Sequence, residues 1–347
     1  MAFIDKTPDR AGSRPADRRP KDGACHGPGQ GHRNAGMQPD GRRGVQLGNG
    51  RHAMTKVDRK SLDDGHGGRG DLTAKEDEVV EEHLNLRPRA VYEVIRREGV
   101  DELRRPVLSL WWSGLAAGLS IGFSVIGEGA LHAHLPDTEW RGLVESLGYS
   151  IGFMIVILGR YQLFTEITLT AVLPVLAEPS RRSWLALLRI WGVVLAANLV
   201  GTAFFGAALA SGLFLPQTHQ EGILAISRHL ADLTPGDAFW RGILGGWLVA
   251  TVVWLLPSAE NSRFAVILVL TSLISALELS HVISGSVEVF LLLMRGEIGF
   301  GTAFGVILLP LLAGNVIGGS ALFALLAYGQ VKKEMEQEVP EAAGRAR

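Results

Sequence analysis

No lysine occurs between Lys75 and Lys332 of this 347-residue chain, and its single cysteine, Cys25, lies near the start. One cysteine excludes an intrachain disulfide framework and a cysteine metal site. His-x-x-x-His is absent, and one histidine, His281, stands deep in apolar surroundings. That leaves no metal cluster or nucleophile–base set, so no enzyme, metal or cofactor is expected. Asn-Pro-Ala is missing too, which argues against a water or glycerol facilitator.

What the chain has in abundance is apolar residue runs. Beyond Pro106, Leu, Ala, Gly, Val and Ile dominate as far as Gln330, and the net charge of −1 conceals a polar leader joined to a membrane domain. Four regions follow. Residues 1–74 form a polar leader rich in Gly, Arg and His, expected to be disordered, with Met54 a possible true start. Residues 75–106 mix charges with Val79, Val91, Val94 and Ile95, as amphipathic helix on a membrane face does. Residues 107–330 form the membrane domain, and 331–347 a charged tail.

Six spans are predicted, at roughly 20 residues per crossing: 107–127, 146–177, 183–215, 242–257, 264–294 and 298–328. The second is broken by Arg160 to Glu166, the fifth by Glu278 to Glu288. Arginines at 96, 97, 104, 105, 181, 182, 189 and 263, with Lys332 and Lys333, fall on one side against four on the other. By the positive-inside rule both termini are cytoplasmic, in a multi-pass protein of the plasma (inner) membrane. The halves also echo each other: Asn198-x-x-Gly201 in span 3 matches Asn315-x-x-Gly318 in span 6. Counting back 35 residues from each Asn lands on Leu163 and Ser280 and sets Phe164 opposite His281. Three spans per half make the repeats inverted, and paired helix breaks in inverted halves point to a transport site near the midplane.

An ionisable residue in hydrocarbon costs several kcal/mol and marks a pathway. His281, beside Ser280, is placed next to such a passage. Its imidazole, titrating near neutral pH, either protonates a weak-acid anion or hydrogen-bonds it. Leu163 and Phe164 form the narrow apolar part that excludes water and larger ions. Thr165 either orients His281 or the solute, or caps the restarting helix, and Glu166 either lines the route or caps it. Asn198, Asn315 and Gly285 are structural residues at the breaks. Glu278 and Glu288 are weaker lining candidates, on the His281 face of an unbroken helix.

Leu163-Phe164-Thr165, the run Arg241 to Trp254, Ser280-His281-Val282-Ile283 and the two Asn-x-x-Gly elements resemble the formate/nitrite transporter family across residues 107–328. The resemblance implies an aquaporin-like all-α fold with helices 2 and 5 broken, a homopentamer, and a pore in each subunit for small monovalent anions such as formate, nitrite or hydrosulfide. Departures are Glu166 after the Leu-Phe-Thr element, Ser280 where family members commonly carry Glu before the histidine, and Gly285 where an asparagine is common. The partners expected are a small anion or weak acid, the lipid bilayer and further copies of the chain, not nucleic acid. A proton-coupled secondary transporter using Glu166, Glu278 and Glu288 is the alternative.

Overall fold

A computed structural model describes residues 86–334, which lie in the second of the chain's two units, Asp71–Arg347. The leader, Met54, residues 75–85 of the amphipathic region and the tail beyond 334 fall outside the described residues. All regular structure among the described residues is helical.

Helix α1, Pro88–Arg104, opens on a proline at its first position, where the missing N–H costs nothing. It buries Val91, Tyr92 and Ile95 and keeps its charges outward. There the Arg96 guanidinium beside Glu93 holds that carboxyl down to about 2. Then follow α2 (Val107–His134), α3 (Arg141–Leu158), α4 (Phe164–Thr170), α5 (Val172–Ala177), α6 (Arg181–Ala210), α7 (Gln217–Ala231), α8 (Pro235–Leu255), α9 (Arg263–Ala276), α10 (Val282–Met294) and α11 (Thr302–Glu334). Five of these, α2, α3, α6, α8 with its terminal turn, and α11, are long and apolar enough to cross a membrane. Residues 164–177, 263–276 and 282–294 form shorter apolar helices.

Reciprocal capping boxes start α6 and α8. Ser180 Oγ accepts from the Ser183 amide at 3.0 Å, and Thr234 Oγ1 from the Asp237 amide at 3.2 Å. Within α11, Thr302–Leu308 and Ile317–Ala324 wind as π-helix on either side of Leu309–Val316. Pro310, which cannot donate to the preceding turn, lies between them.

The short helices cross between halves. α4 packs on α8 and α11, while α10 packs on α6, α7 and α2. Two glycines set how closely the long helices approach. A Cβ on Gly118 of α2 would lie 2.3 Å from the Asn198 carbonyl oxygen, and one on Gly246 of α8 2.4 Å from that of Asn315. Small residues admit such backbone contact, and side-chain hydrogen bonds then hold it.

The breaks are tighter than the sequence reading placed them. The first covers only 159–163, so Thr165 and Glu166 belong to the first turn of α4. The second covers 277–281, and Ser284, Gly285 and Glu288 are helical residues of α10. Gly285 therefore does not shape its break. The left-handed residues there are Arg160 (φ 53°) and Glu278 (φ 51°), neither of them a glycine. Tertiary hydrogen bonds at the ends of α4 and α10 override the weak local helix preference of Ser and Gly.

Candidate functional site at two helix breaks

Leu163 and His281 occupy the same structural position: each is the extended N-cap residue of a short buried helix. The amides that follow them are captured by the two asparagines. Asn198 Oδ1 accepts from the Phe164 amide at 2.9 Å while its Nδ2 donates to the carbonyls of Gly114 (2.7 Å) and Gln162 (2.9 Å). Asn315 repeats this, with Oδ1 on the Val282 amide at 2.8 Å and Nδ2 on the carbonyls of Gly242 (2.7 Å) and Ser280 (3.0 Å). At each asparagine two of the three bonds serve backbone freed by a break, and the third ties that break to a carbonyl inside a long helix, Gly114 of α2 or Gly242 of α8. The bonds also correct the register: Phe164 corresponds to Val282, and Leu163 to His281, one residue from the alignment obtained by counting back from each Asn.

Where the breaks meet, His281 is 1% exposed and bonds through both ring nitrogens. Its Nδ1 accepts from the Ser284 amide at 3.1 Å, capping α10, and its Nε2 lies 2.6 Å from Thr165 Oγ1. A backbone N–H can only donate, so Nδ1 carries the lone pair and the neutral ring holds its hydrogen on Nε2. Nε2–H then donates to Thr165, whose own hydroxyl hydrogen stays available. The Phe153 ring stands edge-on to the imidazole at 4.9 Å, and Tyr149 continues the aromatic row at 5.2 Å from Phe153.

Leu163 and Phe164 are buried, and the Phe164 ring meets Trp191 edge-on at 5.9 Å. Ser280 is buried, with its carbonyl held by Asn315. Glu166 borders a cavity of about 550 Å³ on the α1 side, which reaches Gln162 and Ile167 beside the first break. Five acids, Glu98, Asp101, Glu102, Glu166 and Glu260, line that cavity against Arg160 and Arg263. Gly285 sits one turn into α10, and Glu278 is an exposed residue paired with Arg241 at 3.0 Å. Among the described residues, no group of three or more His, Cys, Asp or Glu is arranged for a metal. Two Gly-x-Ser-x-Gly strings, 118–122 and 148–152, lie inside α2 and α3 rather than on a strand-to-helix turn, so neither forms a nucleophile elbow.

Sequence reasoning missed Phe153 and the glycine carbonyls that hold the asparagines. Repeated spacing carried the second signal: Gly114-x-x-x-Gly118 in α2 recurs as Gly242-x-x-x-Gly246 in α8, the pattern of close helix packing in membranes. Nothing in the pattern marked Phe153, because its ring reaches His281 only through the packing of α3.

Residues 89–329 match the family model described as formate/nitrite transporter. The chain belongs to the formate/nitrite transporter family. Among its relatives, the inner membrane protein YfdC of Escherichia coli is 38% identical over 264 residues, 76% of this chain and 85% of YfdC. The formate channel FocA of Haemophilus influenzae is 32% identical over 163 residues, 46% of this chain and 56% of FocA. The fold is shared with a solved "FNT family ion channel" (TM-score 0.60, 21% identity, 69% of this chain and 98% of that one). It is shared too with a "pentameric formate channel with formate bound" (TM-score 0.56, 23% identity, 65% and 97%). The family consists of transporters and channels, and this member carries its His–Thr pair with glutamate at position 166 and serine at position 280.

Proposed function

We propose that the chain is a passage for small monovalent anions of the formate, nitrite and hydrosulfide class, with His281 at its centre and Leu163 and Phe164 as its apolar constriction. The observation that carries this reading is the buried contact between His281 Nε2 and Thr165 Oγ1 where two helix breaks converge. Formate/nitrite transporter membership supports the anion class. Moving a small anion from water into low dielectric costs on the order of 20 kcal/mol before relaxation. At the centre, Thr165 and the imidazole edge replace part of the lost hydration, and a proton on the anion removes the rest of the cost.

In this reading the chain crosses the membrane six times, α3 with α4–α5 and α9 with α10 each making one broken crossing. Its halves are inverted repeats, supported by the matching bonds of Asn198 and Asn315. Both termini face the cytoplasm, as the arginine bias argues. A bacterial plasma membrane suits the inner-membrane name of YfdC, and a homopentamer, each subunit with its own passage, suits the assembly named for the structural neighbour. A proton-coupled carrier is the second reading, favoured by Glu166, whose Oε1 is buried without a partner beside the acidic cavity.

The test is flux into liposomes of the purified full-length protein, with formate, nitrite, hydrosulfide, acetate and a neutral solute compared. Rapid, saturable passage of one or more of the small anions is expected, and transport of none of them removes the reading. Two variants probe the parts. Thr165→Val keeps the volume but leaves Nε2–H without an acceptor, a loss of roughly 1–3 kcal/mol, so flux falls about tenfold. Wild-type flux in this variant takes Thr165 out of the passage. Phe164→Ala widens the constriction and admits larger monocarboxylates such as lactate. If it excludes them as the wild type does, the narrow point lies elsewhere.

A further inference from the structure

Thr165 stands in the first turn of α4, a helix of only 7 residues. A helix that short takes its stability and its place from its neighbours. Its start is tied by Asn198 to the Phe164 amide. The following turn is tied by two further hydroxyls: Thr168 Oγ1 donates to the Thr165 carbonyl at 2.7 Å, and Ser320 Oγ of α11 donates to the Thr168 carbonyl at 2.6 Å. Thr165 and Thr168 are fully buried, and Ser320 is 9% exposed. From α11 to the imidazole the contacts thus run through Ser320, Thr168, Thr165 and His281, closing on the 2.6 Å approach of Thr165 Oγ1 to Nε2. The first two end on backbone carbonyls, so they fix position and pass no proton.

The start of α10 is built in parallel and shows what is particular about Ser320. Counted from the caps Leu163 and His281, Thr168 corresponds to Ser286. Ser286 Oγ likewise bonds the carbonyl three residues back, Ile283, at 2.7 Å, and it meets the Thr202 hydroxyl of α6 at 2.8 Å. Thr202 comes four residues after Asn198, and four after Asn315 comes Gly319, where a Cβ would collide with Thr168 Oγ1. No hydroxyl-bearing side chain fits there. The hydroxyl is supplied instead by Ser320, five residues after Asn315, from the segment Ile317–Ala324 that winds as π-helix. The i→i+5 spacing of such winding is rare and recurs at functional sites. Here it delivers one side chain to α4.

We propose that Ser320 and Thr168 are positioning residues of the passage: acting through the Thr165 carbonyl, they fix where the Thr165 hydroxyl meets His281. The helix that holds the second break through Asn315 thereby also sets the side chain that the first break contributes to the centre. Without the Ser320 hydroxyl the turn of α4 carrying Thr165 loses its outer tie, and the contact with Nε2 lengthens. Hydrogen bonds weaken steeply with such misalignment. This inference rests on the transport reading above and on the place of Thr165 in it.

A double-mutant cycle on formate flux into liposomes, made in the full-length protein with Ser320→Ala and Thr165→Val, separates positioning from plain structure. Ser320→Ala alone lowers flux by about tenfold, what one buried hydrogen bond is worth in a rate. In the Thr165→Val background it lowers flux no further, because the group it positions is gone. Ser320→Thr keeps the hydroxyl and restores flux. A second readout needs no transport: the 15N resonance of His281 Nε2, identified by its absence in His281→Asn, moves in Ser320→Ala and returns in Ser320→Thr. Where Ser320→Ala fails to assemble, Thr168→Val removes the donor to the Thr165 carbonyl at nearly constant volume, and the same non-additivity and the same movement of the resonance are expected. Wild-type flux with an unmoved resonance, or the full loss repeated in the Thr165→Val background, overturns the proposal while transport stands. Absence of formate flux in the wild type overturns the transport reading instead, and the resonance then decides whether Ser320 positions the His281–Thr165 pair.

Discussion

His281→Asn is expected to leave the protein folded and assembled, to lower weak-acid flux by about a hundredfold, the low end of what a proton-transferring side chain supplies, and to flatten its pH dependence. Asparagine is the informative replacement because His281 has two tasks. Its Nδ1 caps α10 by accepting from the Ser284 amide, and its Nε2–H meets Thr165. Asparagine is among the best N-cap residues, so its amide oxygen takes over the first task. No group on asparagine gains or loses a proton between roughly pH 5 and 8, where imidazoles do. Alanine would lose the cap as well, at about 1 kcal/mol, and confuse the two effects. Flux of formate into liposomes across that pH range decides the matter. A variant with the wild-type profile would mean that the imidazole proton has no part in transport.

The largest effect on stability is expected at the asparagines. Asn198→Ala removes one acceptor and two donated bonds at once and strands the Phe164 amide and the Gln162 carbonyl in the interior, while the Gly114 carbonyl keeps its bond within α2. Each stranded group costs roughly 1–3 kcal/mol, so a loss of about 2 kcal/mol or more follows. Asn315→Ala strands the Val282 amide and the Ser280 carbonyl, and should match it. Unfolding in detergent, followed by loss of tertiary tryptophan signal, measures both. Asn198→Asp makes a control that keeps the acceptor for Phe164 but turns a carboxylate toward two carbonyls, so it too destabilises. If either alanine variant unfolds within 0.5 kcal/mol of the wild type, about the scatter of a surface change, the asparagines are not what holds the breaks.

The acidic groups alter what the site asks of its solute. The cavity on the α1 side is lined by five acids and two arginines. In the proposed reading, an ionised anion approaching from the α1 side meets negative charge before it meets His281.

Much of this was legible without coordinates. Long apolar runs, the charges at 160–166 and 278–288, and the two Asn-x-x-Gly elements were enough to mark the broken helices and to put a buried histidine beside its hydroxyl neighbour. They are legible because burying charge and freeing backbone in lipid carry penalties that composition must answer wherever they occur. Tertiary packing alone decided where each break ends, why Leu163 and not Phe164 corresponds to His281, and which imidazole nitrogen carries the hydrogen. Those depend on partners 33 to 84 residues away for the asparagines, and 116 for Thr165 with His281. A hydrogen bond across such separations has no local period to betray it, since it exists only once α2, α6, α8 and α11 have closed around the short helices.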